Sequence, residues 1–163
     1  MMATMTDVRT VLWFDGRIEE AAELYVSVVP DSRITDVMRI PPGDNPWPGD
    51  APAGEAITVD LTLAGTPFQL LHGGPQFPQS EAVSIAVTVD GQAEVDRIWD
   101  ALVADGGAES QCGWCKDRFG VSWQVIPKQL GELMQGERSL EVTRAMLTMR
   151  KLDVEQLEAA ARG

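Results

Sequence analysis

The sequence predicts an α+β fold: two βαβββ modules forming a curved mixed sheet, followed by a helical C-terminal tail. Three observations carry this expectation. First, the stretch Val11–Glu19 can be laid over Ala86–Glu94 at an offset of 75 residues, each copy reading as an apolar strand, then Asp-Gly, then a helix. Second, Phe68-Gln69-Leu70-Leu71 is echoed by Trp123-Gln124-Val125-Ile126 in the same order within the second copy. Third, short alternating apolar segments bounded by Gly and Pro follow each helix, the pattern of strands and turns.

The elements follow in order. After the first strand, Ile18, Ala21, Ala22, Leu24, Tyr25 and Val28 recur at helical spacing. Strands are expected over 33–40, 56–63 and 67–71, with Ala64-Gly65-Thr66 as a hairpin turn. Between the first two lies 41–50, too rich in Pro and Gly for regular structure. His72-Gly73-Gly74-Pro75 ends the first module, and the segment to Ser80 links it to the second. That module begins with a strand over 82–89. A helix follows, marked by Val95, Ile98, Trp99, Leu102 and Val103 and stopped by Gly106-Gly107. Short strands are expected near 111–115, 116–118 and 122–126, with a turn at Arg118-Phe119-Gly120. In the tail, Asp153 and Gln156 have capping-box spacing, and Leu133, Leu140, Met146, Leu147, Met149 and Leu157 offer apolar faces. The expected organisation is one domain over 5–127, with modules of about 5–75 and 80–127, and a tail over 128–163.

Composition excludes several classes. Of 163 residues, 44% are apolar and 23% charged, values of a packed globular chain rather than a disordered one. No apolar run approaches the roughly 20 residues of a membrane span, and no secretory signal is visible at the N-terminus. Two cysteines are too few for a disulfide framework, so a reducing cytoplasm is the expected setting. The net charge of −12 is unevenly spread: 18 acidic and 5 basic residues precede Gln111, against 7 and 8 after it. Such a chain repels phosphate backbones and anionic lipid, which argues against nucleic acid and membrane partners.

Several motifs carry a resemblance. Leu12-Trp13-Phe14-Asp15-Gly16, Glu19-Glu20-Ala21-Ala22, Tyr25 and Val29-Pro30-Asp31-Ser32 form one set. His72-Gly73-Gly74-Pro75, Gln111-Cys112-Gly113-Trp114, Lys116-Asp117-Arg118 and Ser122-Trp123-Gln124-Val125 form another. With these motifs the chain resembles the PhnB-like branch of the vicinal oxygen chelate superfamily, from about Thr6 to Pro127. The tail stretch Ala145-Met146-Leu147-Thr148-Met149 also resembles that branch. The resemblance implies the glyoxalase/bleomycin resistance fold. Members often carry the label 3-demethylubiquinone-9 3-methyltransferase, a label that does not by itself establish methyl transfer.

Strand alternation identifies the residues that would line a cavity. In the strand 82–89, Val83, Ile85, Val87 and Val89 form the helix-packed face, and Ser84, Ala86 and Thr88 the concave one. The repeat offset then places Arg9, Val11 and Trp13 on the equivalent face of the first strand. Gln69 and Gln124 are the repeated polar residues of the closing strands. Arg9, Gln69, Ser84 and Gln124 thus form a pseudo-symmetric quartet. In metal-dependent members of the resembling superfamily these positions carry His, Glu or Gln ligands. Here a permanent cation, a hydroxyl and two amides replace them, so no catalytic metal and no cofactor are expected.

Other candidates are read conservatively. His72, the single imidazole of the chain, is the available acid–base group, though a strand-end polar residue often serves only to cap an edge. Asp15 and Asp90 read as helix N-caps or turn residues, because both copies have them before Gly. Cys112-Gly113-Trp114-Cys115 lacks the helix N-terminus that activates a redox pair, and packing is the better reading. Trp99 and Trp123 are expected in the core, and Trp47 in the Pro-rich loop.

The expected ligand-binding residues are therefore Arg9, Trp13, His72 and the remaining quartet members Gln69, Ser84 and Gln124. The expected function is metal-independent binding or turnover of a small molecule. An anionic or carbonyl-bearing ligand is expected if Arg9 is free of carboxylates. Sequestration of a cationic drug and the methyl transfer of the family label are the alternatives. Unpaired sheet edges and apolar tail residues predict a homodimer.

Overall fold

A computed structural model describes residues 6–43, 46 and 51–163. Trp47 lies outside the described residues. The chain divides after Pro78 into two compact units.

The first unit contains β1 (Thr10–Phe14), α1 (Ile18–Val28), β2 (Arg33–Arg39), β3 (Ala56–Leu63) and β4 (Thr66–His72). Its sheet has the order β1-β4-β3-β2, in which β1 runs parallel to β4 and the other neighbours are antiparallel. The second contains β5 (Ser84–Val89), α2 (Gln92–Val103), β6 (Ala108–Glu109), β7 (Trp114–Lys116) and β8 (Ser122–Pro127). Its order, β5-β8-β7-β6, is the same arrangement with the same single parallel pair. The strands of each βαβββ module pair among themselves, so the chain carries two four-stranded mixed sheets. Two βαβββ modules with mixed sheets are what the sequence predicts.

The repeat survives at the level of register. Val11 stands opposite Gln69 across the β1–β4 pair, and Ala86 opposite Gln124 across β5–β8. The alternation is visible in burial. Leu12, Phe14, Val59, Leu61 and Leu70 are buried on one face with Ala21, Ala22 and Tyr25 of α1. In the second module Ile85, Val125 and Trp123 occupy the corresponding face with Val95, Ile98, Trp99 and Leu102 of α2. The opposite faces stay open within each unit: Val11 is 48% exposed and Met38 44% in the first, and Ala86 and Thr88 are exposed in the second.

Two local expectations are corrected. The strand expected over 111–115 is interrupted, because Cys112 and Gly113 both take positive φ (56° and 83°) and turn the chain before β7. Nor do Asp15 and Asp90 cap the helices. The N-cap positions are Arg17 and Gly91, without side-chain caps, and Asp90 instead accepts hydrogen bonds from Lys128 Nζ (2.6 Å) and Gln129 Nε2 (3.1 Å). Asp15 keeps a turn position.

The tail forms α3 (Lys128–Leu133), α4 (Ser139–Leu147) and α5 (Val154–Arg162) and belongs to the second unit. Val142, Met149, Leu152 and Leu157 make its core, while Leu140 and Leu147 remain exposed. Asp153 does cap α5, accepting from the Gln156 backbone N–H at 2.9 Å. Gln92 clasps the tail to α2. Its amide donates to Leu152 O (3.1 Å) and accepts from Val154 N–H (2.8 Å). No helix of the described residues is long and apolar enough to cross a membrane.

Candidate functional site

On the open face of the first sheet, register brings three polar residues together. Gln69 of β4 stands opposite Val11 on one side and Asp60 of β3 on the other. The Gln69 amide donates to Asp60 Oδ1 at 2.7 Å, and Arg9 Nη1 donates to Asp60 Oδ2 at 2.8 Å. Arg9 also pairs with Asp7. Both carboxylates raise the guanidinium's pKa, Asp7 most, so the cation is locked in.

The condition for an anion site at Arg9, a guanidinium without carboxylates, is thus not met. Two carboxylates surround one cation, and the local field is negative. Asp60 is the residue that sequence reasoning missed. Its signal was present: in β3, Ile57, Val59, Leu61 and Leu63 alternate with Thr58, Asp60 and Thr62, which fixes Asp60 on the face of Gln69.

The second module's open face carries Ser84 and Gln124. Gln124 Nε2 donates to Ser84 Oγ at 2.9 Å. Trp114 of β7 stands opposite Gln124, where the first module has Asp60, and Lys116 stands opposite Ser122. Lys116 Nζ lies 2.5 Å from Glu81 Oε1. The quartet therefore resolves into two bonded pairs, Arg9 with Gln69 through Asp60, and Ser84 with Gln124.

Trp13 and His72 sit at the end of the first module. The indole N–H of Trp13 donates to Gly74 O at 2.8 Å, and its ring meets Phe77 edge-on at 5.0 Å. A methyl group on Gly73 would overlap that indole, which is why Gly stands there. His72 lines a cleft of about 250 Å³ with Arg17, Ile18, Glu19, Glu20, Glu55 and Ala56. Its Nδ1 lies 3.8 Å from Glu55 Oε2, beyond a hydrogen bond.

The cysteines are free thiols. Cys115 is buried in β7, and desolvation, with Asp117 and Glu109 adding repulsion, pushes its thiol up to about 12. A thiol of that kind is neither nucleophile nor ready ligand. The turn after it is built on buried Asp117, which accepts from Phe119 N–H (2.8 Å), Val121 N–H (3.1 Å) and Trp123 Nε1–H (2.9 Å).

The chain matches the family model described as 3-demethylubiquinone-9 3-methyltransferase over residues 6–126. No curated protein matches it. A PhnB protein from Bacillus cereus is 28% identical, with a TM-score of 0.65 over 75% of this chain and 99% of its own. A protein from Pseudomonas aeruginosa is 25% identical, with a TM-score of 0.59 over 76% of this chain and 98% of its own. A gene product of Arabidopsis thaliana, 18% identical, shares the fold with a TM-score of 0.51 over 76% of this chain and 99% of its own.

Proposed function

This chain belongs to the 3-demethylubiquinone-9 3-methyltransferase family, the PhnB-like group, and from that premise we propose that it binds a small molecule on its open sheet faces without a metal ion. The observation that carries this reading is the closed pairing of the polar side chains. Asp60 spends both oxygens on Arg9 and Gln69, and Gln124 bonds Ser84. A divalent ion needs several carboxylate or imidazole donors aimed at one point. Among the described residues no three His, Cys, Asp or Glu side chains gather in that way, and Arg9 would repel the ion.

Around these pairs the open faces carry Val11, Met38 and Trp114 beside neutral polar groups, with Asp36 opposite Asp60 and Lys116 paired with Glu81. Apolar surface with a few placed polar groups is the composition of small-molecule sites. The bonded amides and hydroxyl suit neutral oxygen atoms better than a full negative charge. The two carboxylates on Arg9 favour one second reading, capture of a cationic ligand at the first module.

Methyl transfer from adenosylmethionine does not fit the residues present. Such a site is typically built on a Gly-rich loop after the first strand of a parallel sheet. Here β1 passes to α1 through Asp15-Gly16-Arg17, in a sheet with one parallel pair. We further propose a homodimer, supported by the edge strands β2 and β6 and by exposed Leu140 and Leu147, and a reducing cytoplasmic setting, supported by two free thiols.

Thermal-shift screening of neutral, anionic and cationic compounds, with a chelator present throughout, tests the reading. Stabilisation by neutral oxygen-bearing compounds is expected. Stabilisation that vanishes with chelator, or calorimetric binding of divalent ions at micromolar concentration, would overturn it.

A further inference from the structure

We propose that the second module carries a subsite for a single-ring ligand bearing a carbonyl or hydroxyl oxygen, centred on Ser122, Lys116 and Trp114. This deepens the small-molecule reading above and rests on it. The starting observation is an orphaned hydroxyl. Ser122 is 1% exposed, and its Oγ has no hydrogen-bond partner among the described residues. Buried polar groups are almost always bonded, so a buried hydroxyl without a partner asks for an explanation.

The neighbouring serine sharpens the point. Ser84 and Ser122 stand opposite each other across β5 and β8, yet only Ser84 has its hydroxyl occupied, by Gln124. Ser122 lines a cleft of about 230 Å³ together with Glu81, Ser110, Trp114 and Lys116, all within the second unit. Lys116 stands opposite Ser122 in register, and Trp114, two residues earlier on β7, shares their face.

The lining specifies the ligand class. A volume of about 230 Å³ falls below the roughly 300–1,000 Å³ of drug-sized pockets, leaving room for one ring. The Trp114 indole supplies a flat apolar wall for that ring. The charges are already matched: Lys116 is paired with Glu81, and Arg150 Nη1 lies 3.6 Å from Glu109 Oε2. A neutral ligand is therefore favoured over an ion. Its oxygen would accept from Ser122 Oγ–H, with the remaining Lys116 protons as further donors.

The test titrates full-length protein with acetophenone, phenol and ethylbenzene, following the backbone amide signals of Ser122 and Lys116 by NMR. Acetophenone or phenol is expected to shift both signals and to bind at least about tenfold more tightly than ethylbenzene, because a site built to bond an oxygen rejects the ring lacking it. Ser122→Ala should remove that preference without lowering the melting temperature, since it deletes an unbonded hydroxyl. Equal binding of ethylbenzene, a retained preference in Ser122→Ala, or unshifted Ser122 and Lys116 signals would overturn the proposal. If a co-purifying small molecule survives chelation while the probes leave these signals unmoved, the subsite falls and the broader reading stands. If every adduct depends on a divalent ion but the metal-free protein still shows the Ser122 preference, the broader reading falls and the subsite stands.

Discussion

Asp117 shows how much one side chain can hold. Its carboxylate satisfies the N–H groups of Phe119, Val121 and Trp123 in a buried turn, while Gly120 at φ 84° completes the reversal. Truncation removes the acceptor of two buried donors, Val121 N–H and Trp123 Nε1–H, at roughly 1–3 kcal/mol for each. Asp117→Ala should therefore lower stability by about 2–6 kcal/mol in urea unfolding; a change within experimental error would remove Asp117 from this role. Cys115 gives a pH signature. Its folded-state pKa is raised from 9.0 to about 12, so the neutral thiol is favoured by folding. The associated stability is fully present below the unfolded value and is lost as pH rises through the interval between the two. Melting temperatures should fall across that interval more steeply in the wild type than in Cys115→Val. At neutral pH, alkylation should reach Cys112 well before Cys115; the reverse order would contradict the burial argument. Gly73 makes a third case. Gly73→Ala forces the Trp13 indole from its place, and overpacking of this kind costs about 1–3 kcal/mol.

At the scale of elements, helix faces and the first module's strands were legible because burial and periodicity coincide there. Ile18, Ala21, Ala22, Tyr25 and Val28 are all buried, as their spacing demands. β3 spans Ala56–Leu63, the residues that alternation picks out. What resisted was decided by tertiary contacts. The segment around Cys112 and Gly113 alternates like a strand, but the tail claims its backbone: Cys112 N–H donates to Met149 O and Gly113 N–H to Arg150 O, both at 2.8 Å. No local pattern announces a partner nearly forty residues away. The Arg9–Asp60 pair was hidden for a similar reason, since it joins residues 51 positions apart through strand register. The tail's attachment makes its own prediction. Gln92→Ala removes the clasp on Leu152 and Val154 and should cost about 1–2 kcal/mol. Hydrogen exchange should accelerate in α5 and the residues before it; unchanged protection would show that the apolar tail core suffices alone.

For the whole molecule, duplication is the governing fact. It gives two sheets with one topology, and it places a glutamine on each closing strand, Gln69 and Gln124, facing Val11 and Ala86. The copies have diverged in chemistry: Asp60 and Arg9 charge one open face, whereas the other carries Trp114, Ser84 and Gln124 beside a Lys116–Glu81 ion pair. Edge strands and exposed Leu140 and Leu147 predict a homodimer by light scattering at micromolar concentration, and a monomer there would contradict it. The central claim is small-molecule binding that needs no metal. Native mass spectrometry of freshly purified protein, before and after exhaustive chelation, tests it most directly. A small-molecule adduct that survives chelation is expected, with no mass of a divalent ion in either spectrum. A stoichiometric metal adduct, or a small molecule that departs with the metal, would contradict it.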